Sequence, residues 1–382
     1  MLAAPGSSPV NRLIVYHPSN NFHYSMGRRY LPFSLCAIAI SAVTGCVHGV
    51  ESYTNASILN TLSLSKAYQG SAIAVQGALA YISMEAIGNQ SGARSLVIVS
   101  LETPAAPAIV STTSSGVASD MAGIAVNGIY AYVPYRASSG TNFQVWNVGD
   151  PNNPSVAGSA SLSCPAGMYP FNSPALNGNY AYVACWESEV ETTGAYVVLD
   201  VSNPASPSVI GSVAVTPTYQ PLSIAIWGQN LYVIATQGGS TSDYLLLYSV
   251  ANPASPSLLA TVSTAHSPQV VAPMGTVAVV AVYDAAELQI VDFSNPSAPQ
   301  SSTVSLGSCH PNSVTVFEGD AGNAAFAVCD QPGGASVVSL ASMTSPVSLG
   351  TVLSGTTFNS LAGAGNYLYG IDTGGNLETI GF

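Results

Sequence analysis

The 382 residues carry a net charge of −12, only 6% charged side chains, and abundant Gly, Pro and Tyr. Long surface helices need Glu, Lys and Arg on a wet face, and this chain has too few, so composition points to strands joined by tight turns. All 18 acids follow residue 46, where only Lys66, Arg94 and Arg136 remain as cations. That surface repels phosphate backbones and excludes nucleic acid as a partner; it permits cation binding without demonstrating it.

In chain order, residues 1–25 are polar and fit no leader, and they read as an upstream extension of a chain that starts at Met26. Residues 26–45 have the organisation of a signal peptide. Arg28 and Arg29 form a basic start, and Leu31 to Val43 is an apolar core too short to span a bilayer. The Arg pair also matches a twin-arginine leader weakly; general secretion is the simpler reading. Val43-Thr44-Gly45-Cys46 resembles the bacterial lipobox, which implies lipidation at Cys46 and a cell-envelope location, in the outer membrane or at the cell surface. An ordinary cleaved signal peptide, or a buried strand with an incidental Cys, are the other readings. Residues 46–54 are expected to be a polar tether, and the fold to occupy 55–382. No later run of about 20 apolar residues exists to make a second span.

From residue 55 on, one phrase recurs: an apolar run, Asn-Pro, a second Pro three residues on, and another apolar run. AYVVLDVSNPASPSVIGSV at 195–213 is the clearest copy, and LLLYSVANPASPSLLATV and LQIVDFSNPSAPQSSTV repeat it. A Gly-centred turn between strands counts the units better. Gly77, Gly128, Gly178, Gly228, Gly275, Gly319 and Gly365 follow one another at intervals of 44 to 51 residues. Two-residue hairpin turns need positive φ, and Asn-Gly at 127–128 and 177–178 is the strongest such signal. Each unit reads as four strands, A to D. In the third these are near Ser173–Leu176, Tyr180–Ala184, Tyr196–Val201 and Ser208–Val215, with the Pro-rich segment as the C-to-D turn.

Four-stranded units of this length are the size of propeller blades. The seventh unit stops after strand C, near Leu377–Phe382, while Ala56–Leu64 is an orphan with the character of a strand D. The expected architecture is therefore all-β: a seven-bladed β-propeller of four-stranded antiparallel blades, its ring closed by the N-terminal strand, which removes the open sheet edges. The phrases LVIVSLETP, VVLDVSNP and LQIVDFSNP are similar to the LVIVD repeat of secreted or surface β-propellers of bacteria and archaea. Unit six departs from it with SMTSP, and unit seven lacks the turn. The resemblance implies architecture and an extracytoplasmic setting. It implies no reaction.

Four cysteines lie in the repeats. Cys164 and Cys185 flank Gly178, and Cys309 and Cys329 flank Gly319, each pair with one member in a D-to-A loop and one at the end of strand B. Antiparallel strands bring both to one face, so disulfides Cys164–Cys185 and Cys309–Cys329 are expected. Free thiols and a metal site are the alternatives, the latter requiring four thiols that three blades keep apart.

Loops entering strand A converge on a propeller's channel. The residue nine before each turn Gly is Tyr68, Ser119, Tyr169, Tyr219, His266, His310 or Thr356, and Asp120 lies at the next position of its unit. Tyr68, Asp120, Tyr169, Tyr219, His266 and His310 are thus candidate ligand residues at the channel mouth, where tyrosines stack on sugars or organic ligands. Against this, the tyrosines can simply fill the rim and the histidines cap backbone. Two histidines without a third placed ligand make a weak metal site, so no metal and no cofactor is expected. Nucleophile-elbow, zinc-protease, phosphate-loop and dinucleotide motifs are absent from the sequence, and no catalytic residue is assigned. Glu187, Glu189, Glu191, Asp284 and Glu287 are acids of B-to-C loops, ordinarily wet, with a glycosidase-like pair as the alternative. The expected function is an exported, monomeric, non-catalytic binding or scaffold propeller that meets a protein or glycan at the cell surface. The alternative is an exported enzyme that acts on a carbohydrate or small organic substrate with His266, His310 and neighbouring tyrosines.

Overall fold

The computed structural model describes residues 50–65, 68–86, 94–187, 193–215, 219–236, 243–319 and 322–382. The leader, Cys46, Lys66, Glu189 and Glu191 lie outside them.

Among the described residues, twenty-eight strands form seven four-stranded antiparallel sheets. Blades 1 to 6 follow chain order, each a meander from inner strand A to outer strand D. In blade 3 these are Tyr169–Asn177, Tyr180–Trp186, Ala195–Asp200 and Ser208–Ala214. Blade 7 takes its A, B and C from Phe358–Ala364, Tyr367–Asp372 and Asn376–Gly381, and its D from Ser57–Ser63. The expected closure is present: Ser57 pairs with Gly381 and Ser63 with Asn376, on the sheet's outer edge.

The core is divided among the seams between blades. Seven apolar clusters each draw side chains from two neighbouring blades. Strand B of a blade is buried on both sides, which is why AYVAC at 181–185 and VAVVAV at 277–282 read as unbroken apolar runs. Polar atoms of strand A tie adjacent blades: Ser71 Oγ donates to the Met121 carbonyl, Asn172 to that of Leu222, and Asn359 to that of Gly70.

The repeated turns have plain local causes. In six blades the last residue of strand C accepts a hydrogen bond from the N–H two residues on, as Asp200 does from Ser202 and Asp292 from Ser294, both at 2.8 Å. Asn147 does the same, and serines at 100, 249 and 339 do so more weakly. The next Asn opens a β-turn, closed from Ser206 N to Asn203 O at 2.9 Å and from Ala298 N to Asn295 O at 3.0 Å. Proline suits the second position of such a turn because its φ is preset. The acid of the repeat phrase is therefore a turn cap.

The A-to-B turns differ from expectation in one detail. Asn127 and Asn177 are the last paired residues of strand A, opposite Tyr130 and Tyr180. The following glycine takes the first central position with φ between 57° and 62° in six blades, and the second central residue is not at positive φ. That is the II′ pattern, which wants Gly first and leaves Asn in the strand.

Blade 6 departs further. Gly319 pairs with Gly322 at the end of the ladder, so it is a strand residue there and not the first central residue of a turn. Glycine stands at 319 for another reason: a Cβ there would overlap the Tyr53 hydroxyl and the Phe317 ring. Tyr53 belongs to a 3-10 turn, Val50–Asn55, within the segment expected to be a tether. It is 3% exposed, packs on Phe317, Phe326 and Phe382, and donates its hydroxyl to the Gly322 carbonyl at 3.0 Å. This turn is therefore packed into the seam of blades 6 and 7, ahead of the closing strand.

Candidate functional site

Both expected disulfides are present. Cys164–Cys185 and Cys309–Cys329 have Cα atoms 5.6 and 4.9 Å apart, and each joins the D-to-A loop to the end of strand B. They stiffen the same end of the ring, where every strand A begins.

The six candidate residues all lie at that end, but they fall into three environments. Asp120 is held by Arg94, with Nε 2.6 Å from its Oδ1. Arg136 lies beside them, 3.5 Å from Glu85 and over the Phe171 ring at 5.2 Å. Tyr68 opens strand A of blade 1, opposite Ala86. Tyr219 stacks edge-on against Tyr244 at 4.9 Å, and their hydrogen bond, ahead of burial, raises the Tyr219 pKa. Burial first, then a hydrogen bond to Glu187, raises that of Tyr169.

The two histidines are not equivalent. Strand A carries a bulge in most blades: Ser71, Leu222, Gln269, Asn312 and Asn359 are the extra residues. Counted from the bulge, the place of Tyr68, Tyr219, His266 and Thr356 is held in blade 6 by buried, disulfide-bonded Cys309. His310 falls one place further, level with Gln69, Gln220 and Ser267. The cause is the longer blade 6 hairpin, whose strand A stays paired for seven residues beyond the bulge, to Gly319, where that of blade 1 does so for five, to Gln76. His310 Nδ1 donates to the Tyr283 carbonyl at 2.9 Å, its ring stacks on Tyr283 at 5.3 Å, and the Tyr283 hydroxyl donates to Asp330 at 2.9 Å.

His266 faces a cavity of about 420 Å³ across blades 3 to 6. The bulge residues Leu222, Gln269 and Asn312 line it, joined from blade 3 by Asn172, the first of three residues left out of the ladder between Phe171 and Ala175. Phe171 and Trp186, 4.7 Å apart, form an aromatic wall from blade 3, joined by Glu187 and Gln220. Gln220 Oε1 accepts from the Glu187 N–H, closing the seam. Asp243, at the head of strand C in blade 4, lies under His266 with its side chain 2% exposed, whereas that of His266 is 52% exposed. Asp243 Oδ2 accepts from His266 Nδ1 at 3.2 Å and from the Ser267 N–H at 3.0 Å. A carboxylate accepts only, so Nδ1 is the donor toward Asp243, and Nε2 faces outward with Asp284 Oδ2 3.8 Å away. Ser267 and Asn172 both adopt left-handed backbone, at φ 66° and 59°. Such strain collects where surrounding structure fixes a side chain for a task.

This cavity has the size of a small-ligand site. Stacking on Trp186, hydrogen bonds to Gln269 and Asn312, and an oriented imidazole are its chemical means. Phe171, Trp186, Asp243 and Gln269 were not among the sequence candidates. Asp243 had one signal, an acid heading the apolar run DYLLLY. Among the described residues no three His, Cys, Asp or Glu side chains are grouped to hold a metal ion.

The fold is that of a seven-bladed β-propeller with a polar cleft at the D-to-A end. The LVIVD repeat profile matches residues 173–215 and 271–303, so blades 3 and 5 carry LVIVD repeats. No curated protein matches it by sequence. Among solved structures it is similar to Kuenenia stuttgartiensis hydrazine synthase, with 15% identity and a TM-score of 0.60 over 83% of this chain and 97% of that one. It also resembles the Dos1 propeller, at 10% identity and TM-score 0.58 over 83% and 81%. A prolyl endopeptidase matches at 13% and 0.54, over 85% of this chain and 46% of that one. At such identities the likeness is one of fold.

Proposed function

We propose that this chain is an exported, surface-anchored binding propeller, and that its ligand, a glycan or another hydroxyl-bearing organic molecule, enters the cleft of blades 3 to 6. One observation carries the reading: an aromatic wall, Phe171 and Trp186, shares a single cavity with an imidazole held by a buried carboxylate. Aromatic faces suit the apolar face of a sugar ring, and fixed amides and imidazole suit its hydroxyls. The two disulfides support an oxidising compartment. Glycan-array and calorimetric titration of the protein test it. Trp186→Ala should weaken the binding found by about tenfold or more, as loss of ~1.4 kcal/mol implies, while Tyr68, in blade 1, should tolerate replacement by Phe. Unchanged affinity in Trp186→Ala would overturn the assignment of the cleft.

The Asp243–His266 pair favours a second reading, an enzyme of the same cleft. With Nδ1 tied to Asp243, Nε2 is placed to take a proton from a bound hydroxyl or water. His266→Gln would then abolish turnover of a bound ligand while keeping its affinity. Equal turnover in both proteins would reject this reading.

A further inference from the structure

We infer that the ring seats its A-to-B and C-to-D turn end on the lipid surface, with the cleft turned away from it. The inference rests on the anchoring reading of Cys46. Every large apolar side chain that the described residues expose lies at the turn end. Ile109, Val156, Val209, Leu258 and Val347 fall in the first two residues of their strands D, Ile129 is in the A-to-B turn of blade 2, and Phe382 follows the last strand. Blade 7 contributes Ile58 and Leu59 in the same way, and only blade 5, whose strand D opens Gln-Ser-Ser, interrupts the belt.

The chain itself says what covers this belt. Strand D of blade 7 begins at the turn end, where Ser57 pairs with Gly381, and the preceding turn is docked there by Tyr53. Cys46 precedes Val50 by four residues, a reach of about 14 Å when fully extended. A lipid on Cys46 therefore brings the blade 6 and 7 edge, with Ile58, Leu59, Val347 and Phe382, against the membrane interface. The opposite end holds the cleft, both disulfides, and the paired cations Arg94 and Arg136. Glu102, Asp150, Asp200 and Asp292 lie toward the turn end, whereas the described cations, Arg94 and Arg136, lie at the other. The contact is then apolar and suits zwitterionic headgroups, since anionic ones repel this face within about 8 Å at physiological salt.

The test places a single thiol on the mature lipoprotein, as Leu258→Cys at the belt or Asp284→Cys beside the cleft, and attaches an environment-sensitive fluorophore. Native thiols do not interfere, because four are in disulfides and Cys46 would carry the lipid. In phosphatidylcholine vesicles with brominated acyl chains, the label at 258 should lose fluorescence and that at 284 should not. Replacing half the lipid by phosphatidylglycerol should reduce the loss at 258. Equal quenching at both sites, or quenching at 284 alone, in protein that still floats with vesicles overturns the seating and leaves the anchor intact. Protein that does not float and has an unmodified Cys46 by mass overturns the anchor and the seating together.

Discussion

Replacing Tyr53 by Ala tests whether the ring begins at residue 50 or at the closing strand. The side chain is 3% exposed and lies edge-on to three Phe rings, with centroids 4.8 to 5.7 Å away. Removing a buried aromatic of this size costs about 3–5 kcal/mol, transfer and cavity together. Tyr53→Phe keeps the ring and loses the hydroxyl's bond to the Gly322 carbonyl, about 0.5–1.5 kcal/mol. Unfolding entropy of roughly 2.1 cal/mol/K per residue gives about 0.7 kcal/mol/K over the ring. Tyr53→Ala should therefore lower Tm by ~4–7 °C and Tyr53→Phe by ~1–2 °C in a calorimetric scan. Neighbouring Gly319 sharpens the contrast, because the alanine variant leaves a gap that no Cβ at 319 fills. If the two variants unfold at the same temperature, the turn is a loose appendage and the packing argument fails.

Glu378 gives a prediction in pH. It is 4% exposed in strand C of blade 7, and burial raises its pKa, partly opposed by the Thr61 hydroxyl that donates to it at 2.6 Å. A folded pKa above the unfolded value means that the fold binds the proton more tightly. Its contribution to stability is greatest below the unfolded pKa and is lost as pH rises through the folded one. Glu378→Gln should raise Tm at neutral pH and flatten the fall from pH 4.5 upward, measured by thermal scans across that window. Serine at Cys309 and Cys329 together should cost about 3 kcal/mol for a loop of this length, read as a lower denaturant midpoint. Cys46→Ser should move the protein out of the membrane fraction with its Tm unchanged, since Cys46 precedes the docked turn by seven residues of sequence to Tyr53; recovery in the same fraction would remove the anchor.

The blade count, the closing strand and both disulfides were legible because each rests on a local pattern that recurs with a period. A turn Gly, a Pro-rich corner and paired cysteines need no knowledge of distant residues. Gly319 was misread for the same reason. Its spacing fits the period, yet Tyr53, more than 260 residues earlier, is what requires a glycine there. The same one-place error placed His310 level with His266, and only the bulge at Asn312 corrects it. Residues 50–54 look like a tether because one buried Tyr among polar neighbours leaves no periodic trace. The cleft was half visible. His266 was found from its distance to a turn, but Asp243 and Trp186 reach it from strands C and B of other blades, and contacts of that kind have no fixed spacing in sequence.

Closure through Ser57–Ser63 orders the events of folding. This strand is synthesised some three hundred residues ahead of its partner, Asn376–Gly381. Joining ends separated by some three hundred residues carries a loop entropy of about 5 kcal/mol, against about 3 for the hairpin-scale loops of the disulfides. Blades 3 and 6 can fold and oxidise on their own timescale while blade 7 waits as a three-stranded sheet with an open edge. The last step, not the first, is then the non-local one. A folding intermediate with both disulfides formed and Ser57–Ser63 and Asn376–Gly381 still unpaired is the species most exposed to mispairing with a second copy.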